Sequence, residues 1–175
     1  MKKLLVVVDM QNDFIDGSLG SPEAQAIVPN VVKKVSEWDG DIIMTRDTHS
    51  EKYLETREGR RLPVKHCIIG TEGHKINPLI WEAVIETGKE CNTSVLNKGA
   101  FGSTELPQLI KKKKYEYIEL VGLCTDICVV SNAMLIKAWF PELDIAVDSN
   151  CCAGVTLDSH NAALTTMKMC QIEVL

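Results

Sequence analysis

The chain has 175 residues, a formal net charge of -5, and 45% apolar and 25% charged residues. That length predicts one domain, covering residues 1–175, around a single large core. The negative charge argues against nucleic acid as a partner, because phosphate binding needs clustered Lys and Arg, and the one basic run, Lys111 to Lys114, reads as a solvated helix end.

The apolar run Leu4 to Val8 is too short for a signal-peptide core or a membrane span and reads as a buried strand closed by Asp9. No membrane association and a cytoplasmic, reducing location are therefore expected. The seven cysteines are then mostly free thiols, and without regular Cys-x-x-Cys pairs they do not form a zinc knuckle. From Pro22 to Trp38 the apolar residues Ala24, Ile27, Val28, Val31, Val32 and Val35 make a helical stripe, ended near Gly40. Asp41 to Thr45 is a second strand. Thr48 to Asn77 lacks clear regular structure, and a stretch that long in a compact domain is usually functional or a lid. Leu79 to Glu86 is a short helix and Ser94 to Leu96 a third strand. Thr104 to Lys114 is a helix capped by Ser103 or Thr104, with its lysines at the end the helix dipole favours. Tyr117 to Val121 is a fourth strand, Thr125 to Phe140 a helix stopped by Pro141, Asp144 to Val147 a fifth strand, Leu157 to Met169 a helix, and Ile172 to Leu175 a sixth strand.

Strand and helix alternate throughout. The expectation is a three-layer α/β/α sandwich, Rossmann-like, with a mainly parallel central sheet of about six strands. Ligands of such sheets bind beyond the carboxyl ends of the strands. The residues expected there are Asp9, Asp47, Lys98, the segment from Gly122 onward, and Asp148.

The Gly122 segment reads Gly-Leu-Cys-Thr-Asp-Ile-Cys-Val. A strand ends, the chain turns, and a helix begins with Thr125 or Asp126 as its cap. Cys128 falls in the first turn, where N–H groups and the helix dipole stabilise a thiolate and can hold a developing oxyanion. Asp9 is a candidate general base beside that thiol. Lys98 is a candidate cation. Each has a commoner use: a buried small hydrophobe, an Asx turn, a surface lysine. Only together do they put nucleophile, base and cation on three strand ends of one sheet. Farther along, Asp47, His49 and His66 supply one carboxylate and two imidazoles, a donor set that suits a divalent metal such as Zn²⁺. The bland alternative is a pair of exposed or capping loop histidines.

Three segments resemble the isochorismatase-like cysteine hydrolases, and within them the nicotinamidase branch: Asp9-Met-Gln-Asn-Asp-Phe14, Asn97-Lys-Gly-Ala-Phe101 and Thr125-Asp-Ile-Cys-Val129. They occur in the family's order and spacing, and the likeness covers nearly the whole chain. It implies a triad of Asp9, Lys98 and Cys128, an oxyanion hole from the Cys124 and Cys128 N–H groups, and a non-proline cis peptide between Leu123 and Cys124. It also implies a metal held by Asp47, His49 and His66, because His66-Cys-Ile-Ile-Gly-Thr-Glu-Gly73 is similar to the branch's second histidine segment. Zinc is the expected ion, with iron or manganese as alternatives, and Glu58 is the expected additional carboxylate, with Glu55 behind it. His74 and His160 fit none of these segments and read as non-catalytic.

Many members of the branch carry a Trp three residues before the second histidine; here that position is Pro63, preceded by Leu62. Phe14, Phe101 and Leu62 are then the expected pocket walls. The residue before the nucleophile is Ile127, often His in relatives. The implied activity is hydrolysis of nicotinamide to nicotinate and ammonia through a thioester. The alternatives are another small amide or carbamoyl compound, or an isochorismate-like substrate. A non-catalytic binding protein of the same fold is a further alternative, against which the joint presence of Asp9, Lys98 and Cys128 argues. Relatives of this kind are often dimers or larger, so a homo-oligomer is expected from the resemblance.

Overall fold

In the computed structural model, which describes residues 1–175, six strands form one sheet. They are β1 (Lys3–Val8), β2 (Asp41–Asp47), β3 (Thr93–Lys98), β4 (Tyr117–Leu123), β5 (Asp144–Ala153) and β6 (Glu173–Val174). Every pairing is parallel, in the order β3-β2-β1-β4-β5-β6. Parallel neighbours cannot be joined by a tight hairpin, so the connections cross the faces and carry helices. These are α1 (Asn12–Ile15), α2 (Pro22–Glu37), α3 (Arg57–Arg61), α4 (Pro78–Glu86), α5 (Glu105–Lys113), α6 (Val130–Trp139) and α7 (Leu157–Met169).

The apolar run of β1 is continuous because both of its faces are covered. Leu4, Val6 and Val8 pack with Leu106 and Ile110 of α5, Ala133 and Ile136 of α6, and Met167 of α7. Leu5 and Val7 point the other way, against Val28, Val31 and Val35 of α2 and Ile80 and Val84 of α4. The chain runs outward from β1 to β3 using one helical layer, then returns to the other side of β1 with β4 and uses the opposite layer. The sheet therefore changes direction between β1 and β4, and a crevice opens at their carboxyl ends. Gly122 lets the two strands approach there. Its φ is +119°, and a Cβ at that position would overlap the Val8 carbonyl oxygen.

Three expectations from the sequence need correction. The fifth strand does not stop at Val147 but continues to Ala153, so Asp148 lies mid-strand and not at a strand end. Its carboxylate pairs with Lys34 at 2.8 Å, and the same ammonium reaches Glu119 at 2.6 Å. The helix after β4 opens with a wide π-helical turn, Thr125–Val129, whose N-cap is Cys124 and not Thr125 or Asp126. The Asp126 carboxylate instead accepts from the Val155 N–H at 3.2 Å, tying two loops together. The N-cap of α5 is Thr104, one of the two residues expected; it makes no side-chain cap, and Ser103 Oγ accepts from the Glu105 N–H at 3.3 Å. The Thr48–Asn77 stretch is not structureless: it holds a 3₁₀ turn at Tyr53–Glu55 and all of α3. α1 is an additional short helix that the pattern did not indicate. All seven cysteines are free thiols, and no helix is long and apolar enough to cross a membrane.

Candidate active site

Asp9 follows the last residue of β1, Lys98 ends β3 and Cys128 sits in the π-helical turn after β4. The crevice brings them together. Lys98 Nζ lies 2.6 Å from Asp9 Oδ2 and 3.4 Å from Cys128 Sγ, and donates to the Ala100 carbonyl at 3.1 Å. Asp9 takes a left-handed φ of 47°, a conformation that Asp tolerates better than most residues. Its backbone N–H donates to both the carbonyl and hydroxyl oxygens of Thr45, and that hydroxyl in turn donates to Asp9 Oδ1 at 2.7 Å. Asp9 is wholly buried, and Lys98 and Cys128 nearly so.

Burial sets the protonation states. It pushes the Asp9 carboxyl above its ordinary 3.8, against the pull of Lys98 and with help from Asp47. It pushes the Cys128 thiol well above the ordinary thiol value, and the neighbouring Asp9 charge adds to that rise while Lys98 opposes it. Burial thus works against the standing thiolate that the helix start by itself favours. An activated Cys128 needs a base close by, and Lys98 Nζ, 2.6 Å from Asp9 Oδ2 and 3.4 Å from Cys128 Sγ, holds the two side chains beside one ammonium. A carboxylate of raised pKa is also a stronger base. Burial disfavours the Lys98 cation, but Asp9, Cys128 and Asp47 outweigh it and hold the lysine above its usual value.

Asp47 joins this triad to a second cluster. Its Oδ1 is 3.3 Å from Lys98 Nζ, and its Oδ2 is 2.8 Å from His49 Nε2 and 3.5 Å from His66 Nε2. Glu58 Oε1 closes the group, 3.6 Å from His49 Nε2 and 3.8 Å from His66 Nε2. One ligand atom from each of the four residues falls within 4.8 Å of the others. Glu55 is not among them. The donor set fits a divalent cation by two further features. His66 Nδ1 is engaged by the Val64 carbonyl at 2.9 Å, which fixes the tautomer and turns Nε2 inward, the usual support of a metal-binding histidine. Asp9, Asp47 and Glu58 also carry more negative charge than Lys98 neutralises. Hydrogen bonds from His49 and His66 together with the Lys98 charge outweigh burial and hold Asp47 well below the usual carboxylate range. Asp47 and the Val64 carbonyl likewise outweigh burial and raise His66.

Both clusters meet one cavity of about 550 Å³. Asp47, Glu58, His66, Cys124 and Cys128 line it, and so do the expected walls Phe14, Phe101 and Leu62. The Leu123–Cys124 peptide is cis, and the Cys124 N–H has no acceptor within the chain. His74 and His160 lie outside this cavity; their rings bond to the hydroxyls of Thr48 and Thr125 at 2.9 and 2.8 Å.

Several supporting residues escaped the sequence reading. Gln11 clamps Asp47 by accepting from its N–H at 2.7 Å and donating to its carbonyl at 2.9 Å. Tyr53, fully buried, packs its ring 4.7 Å from that of His49 and 4.8 Å from that of His66, and donates to the Leu62 carbonyl at 3.1 Å. Asn132 donates to the Cys128 carbonyl at 2.8 Å and accepts from the Ser103 N–H at 2.9 Å, linking the nucleophile's helix to the loop that carries Phe101. Gln11 and Asn132 left a weak signal, two residues after Asp9 and one helical turn after Cys128. Tyr53 left only an aromatic in a charged loop.

Residues 3–175 match the model of the isochorismatase domain. The chain belongs to the isochorismatase family. Nicotinamidase 1 of Arabidopsis thaliana is 34% identical to it over 90% of this chain and 72% of that protein. A nicotinamidase/pyrazinamidase of Bacillus subtilis superposes with a TM-score of 0.87 at 25% identity, covering 99% of both chains. A pyrazinamidase of Pyrococcus horikoshii, solved in complex with zinc, superposes with a TM-score of 0.80 at 25% identity over 100% of this chain and 99% of that one. Within the family fold, the sheet order and the crevice between β1 and β4 are where Asp9, Cys128 and the Asp47 cluster converge.

Proposed function

We infer that the protein is a metal-assisted cysteine amidase that hydrolyses nicotinamide to nicotinate and ammonia, with residues 1–175 acting as one unit. The observation that carries this reading is the buried Asp9–Lys98–Cys128 contact, joined through Asp47 to a four-residue metal-ligand set on one cavity. The relatives named nicotinamidase and pyrazinamidase support the substrate class.

Asp9 takes the Cys128 proton as the sulfur attacks the carboxamide carbon, so no free thiolate has to persist in a buried site. Lys98 balances the charge that passes between Asp9 and sulfur. The Cys124 and Cys128 N–H groups receive the carbonyl oxygen as it becomes an oxyanion. The C–N bond breaks, Asp9 returns its proton to the leaving nitrogen, and ammonia departs. Water then adds to the thioester with Asp9 as base, giving the acid and restoring the thiol. Asp47, His49, Glu58 and His66 would hold a divalent metal, with zinc as the first choice on donor type. When bound, that ion supplies a Lewis-acid anchor for a ring nitrogen.

The test is ammonia release from nicotinamide by wild type and Cys128→Ala, with and without chelator. Release that requires Cys128 and weakens on chelation is the expected result. Release that persists in Cys128→Ala refutes the mechanism, and a KM unaltered by chelation refutes the metal's role in binding.

A further inference from the structure

We propose, building on the amidase reading, that the natural substrate is a primary carboxamide whose ring bears an apolar substituent larger than nicotinamide's bare ring provides. Two features of the cavity carry this.

The first is its size and its lining. The reacting and ligating groups Cys128, Asp47, Glu58 and His66 all line it, enough to engage a single ring and its carboxamide. Most of the other residues that line the roughly 550 Å³ are apolar. That volume lies in the range typical of pockets that enclose drug-sized molecules, about 300 to 1,000 Å³. Leu19, Leu62, Phe101 and Val155 reach the cavity from four different loops, those that follow β1, β2, β3 and β5. Leu62, Phe101 and Val155 remain 40%, 46% and 63% exposed. Apolar side chains from separate loops that converge on one cavity mark a surface awaiting an apolar ligand. A bare pyridine ring would leave it wet.

The second is the closed side of the nucleophile. Asp9 and Lys98 are buried behind Cys128 and do not line the cavity. The leaving nitrogen must face Asp9 to take its proton, so it faces a packed wall. An N-substituent has no space there, and only the acyl part can extend toward Leu62, Phe101 and Val155.

The experiment compares nicotinamide, pyridine carboxamides carrying methyl, propyl and pentyl groups on a ring carbon, and N-methylnicotinamide. In wild type, kcat/KM should rise about two- to fourfold for each methylene that becomes buried. N-methylnicotinamide should fall about tenfold or more below the parent, because the packed wall cannot yield. In Val155→Ser, the ratio of extended to parent kcat/KM should drop about threefold or more. Val155 is exposed enough that the change should leave folding intact. If nicotinamide turns over but the alkyl amides do so no better, or the N-methyl amide does as well as the parent, the inference is overturned and the amidase activity stands. If no amide is hydrolysed, nicotinamide included, the amidase activity fails and the inference with it.

Discussion

Lys98→Met isolates the charge balance at the centre of the site. Met keeps the length of the side chain but removes the only ammonium beside Asp9 and Asp47, both buried carboxylates. Asp47 retains His49 and His66; Asp9 retains only the Thr45 hydroxyl and backbone contacts. Stranding one member of a buried ion pair costs about 3 to 5 kcal/mol. For a domain of this size that corresponds to a fall in melting temperature of about 6 to 20 °C. The assay is denaturant and thermal unfolding at about pH 8, where an unpaired Asp9 carries its full penalty. The decisive comparison is with Lys98→Met/Asp9→Asn. The double variant lacks the stranded carboxylate, so it should be more stable than the single one by about 1 to 3 kcal/mol although both are inactive. A single variant destabilised by less than about 1 kcal/mol, or a double variant no more stable than the single, would refute the assignment of Lys98 as the counter-ion of Asp9.

Three further outcomes follow from the same geometry. Asp9 must be ionised to accept the thiol proton and its pKa is raised by burial, so the acid limb of kcat/KM should lie above 3.8; a limb at or below that value contradicts Asp9 as the base. Tyr53→Phe removes the hydroxyl that bonds the Leu62 carbonyl and approaches Glu58 Oε1 at 3.5 Å, and should weaken zinc binding about 10- to 100-fold in a chelator competition, with unchanged affinity counting against a supporting role. Lys34 outweighs the burial of Asp148 and holds its carboxyl below 3.8, so this pair contributes stability present above 3.8 and lost as pH falls through the depressed value. Lys34→Met should therefore lower stability at neutral pH and flatten its fall in acid, and equal acid slopes in both proteins would contradict this.

The parts legible in the sequence were those whose residue types and period leave few choices. β1 is apolar on both faces and could only be an interior parallel strand, and the stripe from Ala24 to Val35 needed a helix against it. Asp9, Lys98 and Cys128 could be proposed because each stands at or just past a strand end. Asp148 was misplaced because the apolar run of the fifth strand stops at Val147, whereas β5 continues through the polar residues Asp148, Ser149 and Asn150 to Ala153, with the Ser149 N–H bonded to the Leu175 carbonyl at the chain end. The charge state of Cys128 was not legible. A helix start favours a thiolate, burial beside Asp9 opposes it, and burial is a property of the packed fold and not of the local sequence. Glu58 could not be separated from Glu55 by spacing. α3 decides between them, since its first turn lifts Glu58 toward His49 and His66. Tyr53 was missed because nothing in a charged loop announces which aromatic folds beneath a metal-ligand set.

The most direct test of the proposed chemistry is to quench turnover of nicotinamide with acid and examine the protein by intact and peptide mass spectrometry. A nicotinoyl group should appear on the Cys128 peptide of the wild-type protein within the first turnover, absent from Cys128→Ala. Steady release of nicotinate and ammonia with no acylated Cys128 at any quench time, and with activity retained in Cys128→Ala, would contradict a thioester route and remove Cys128 from the reaction.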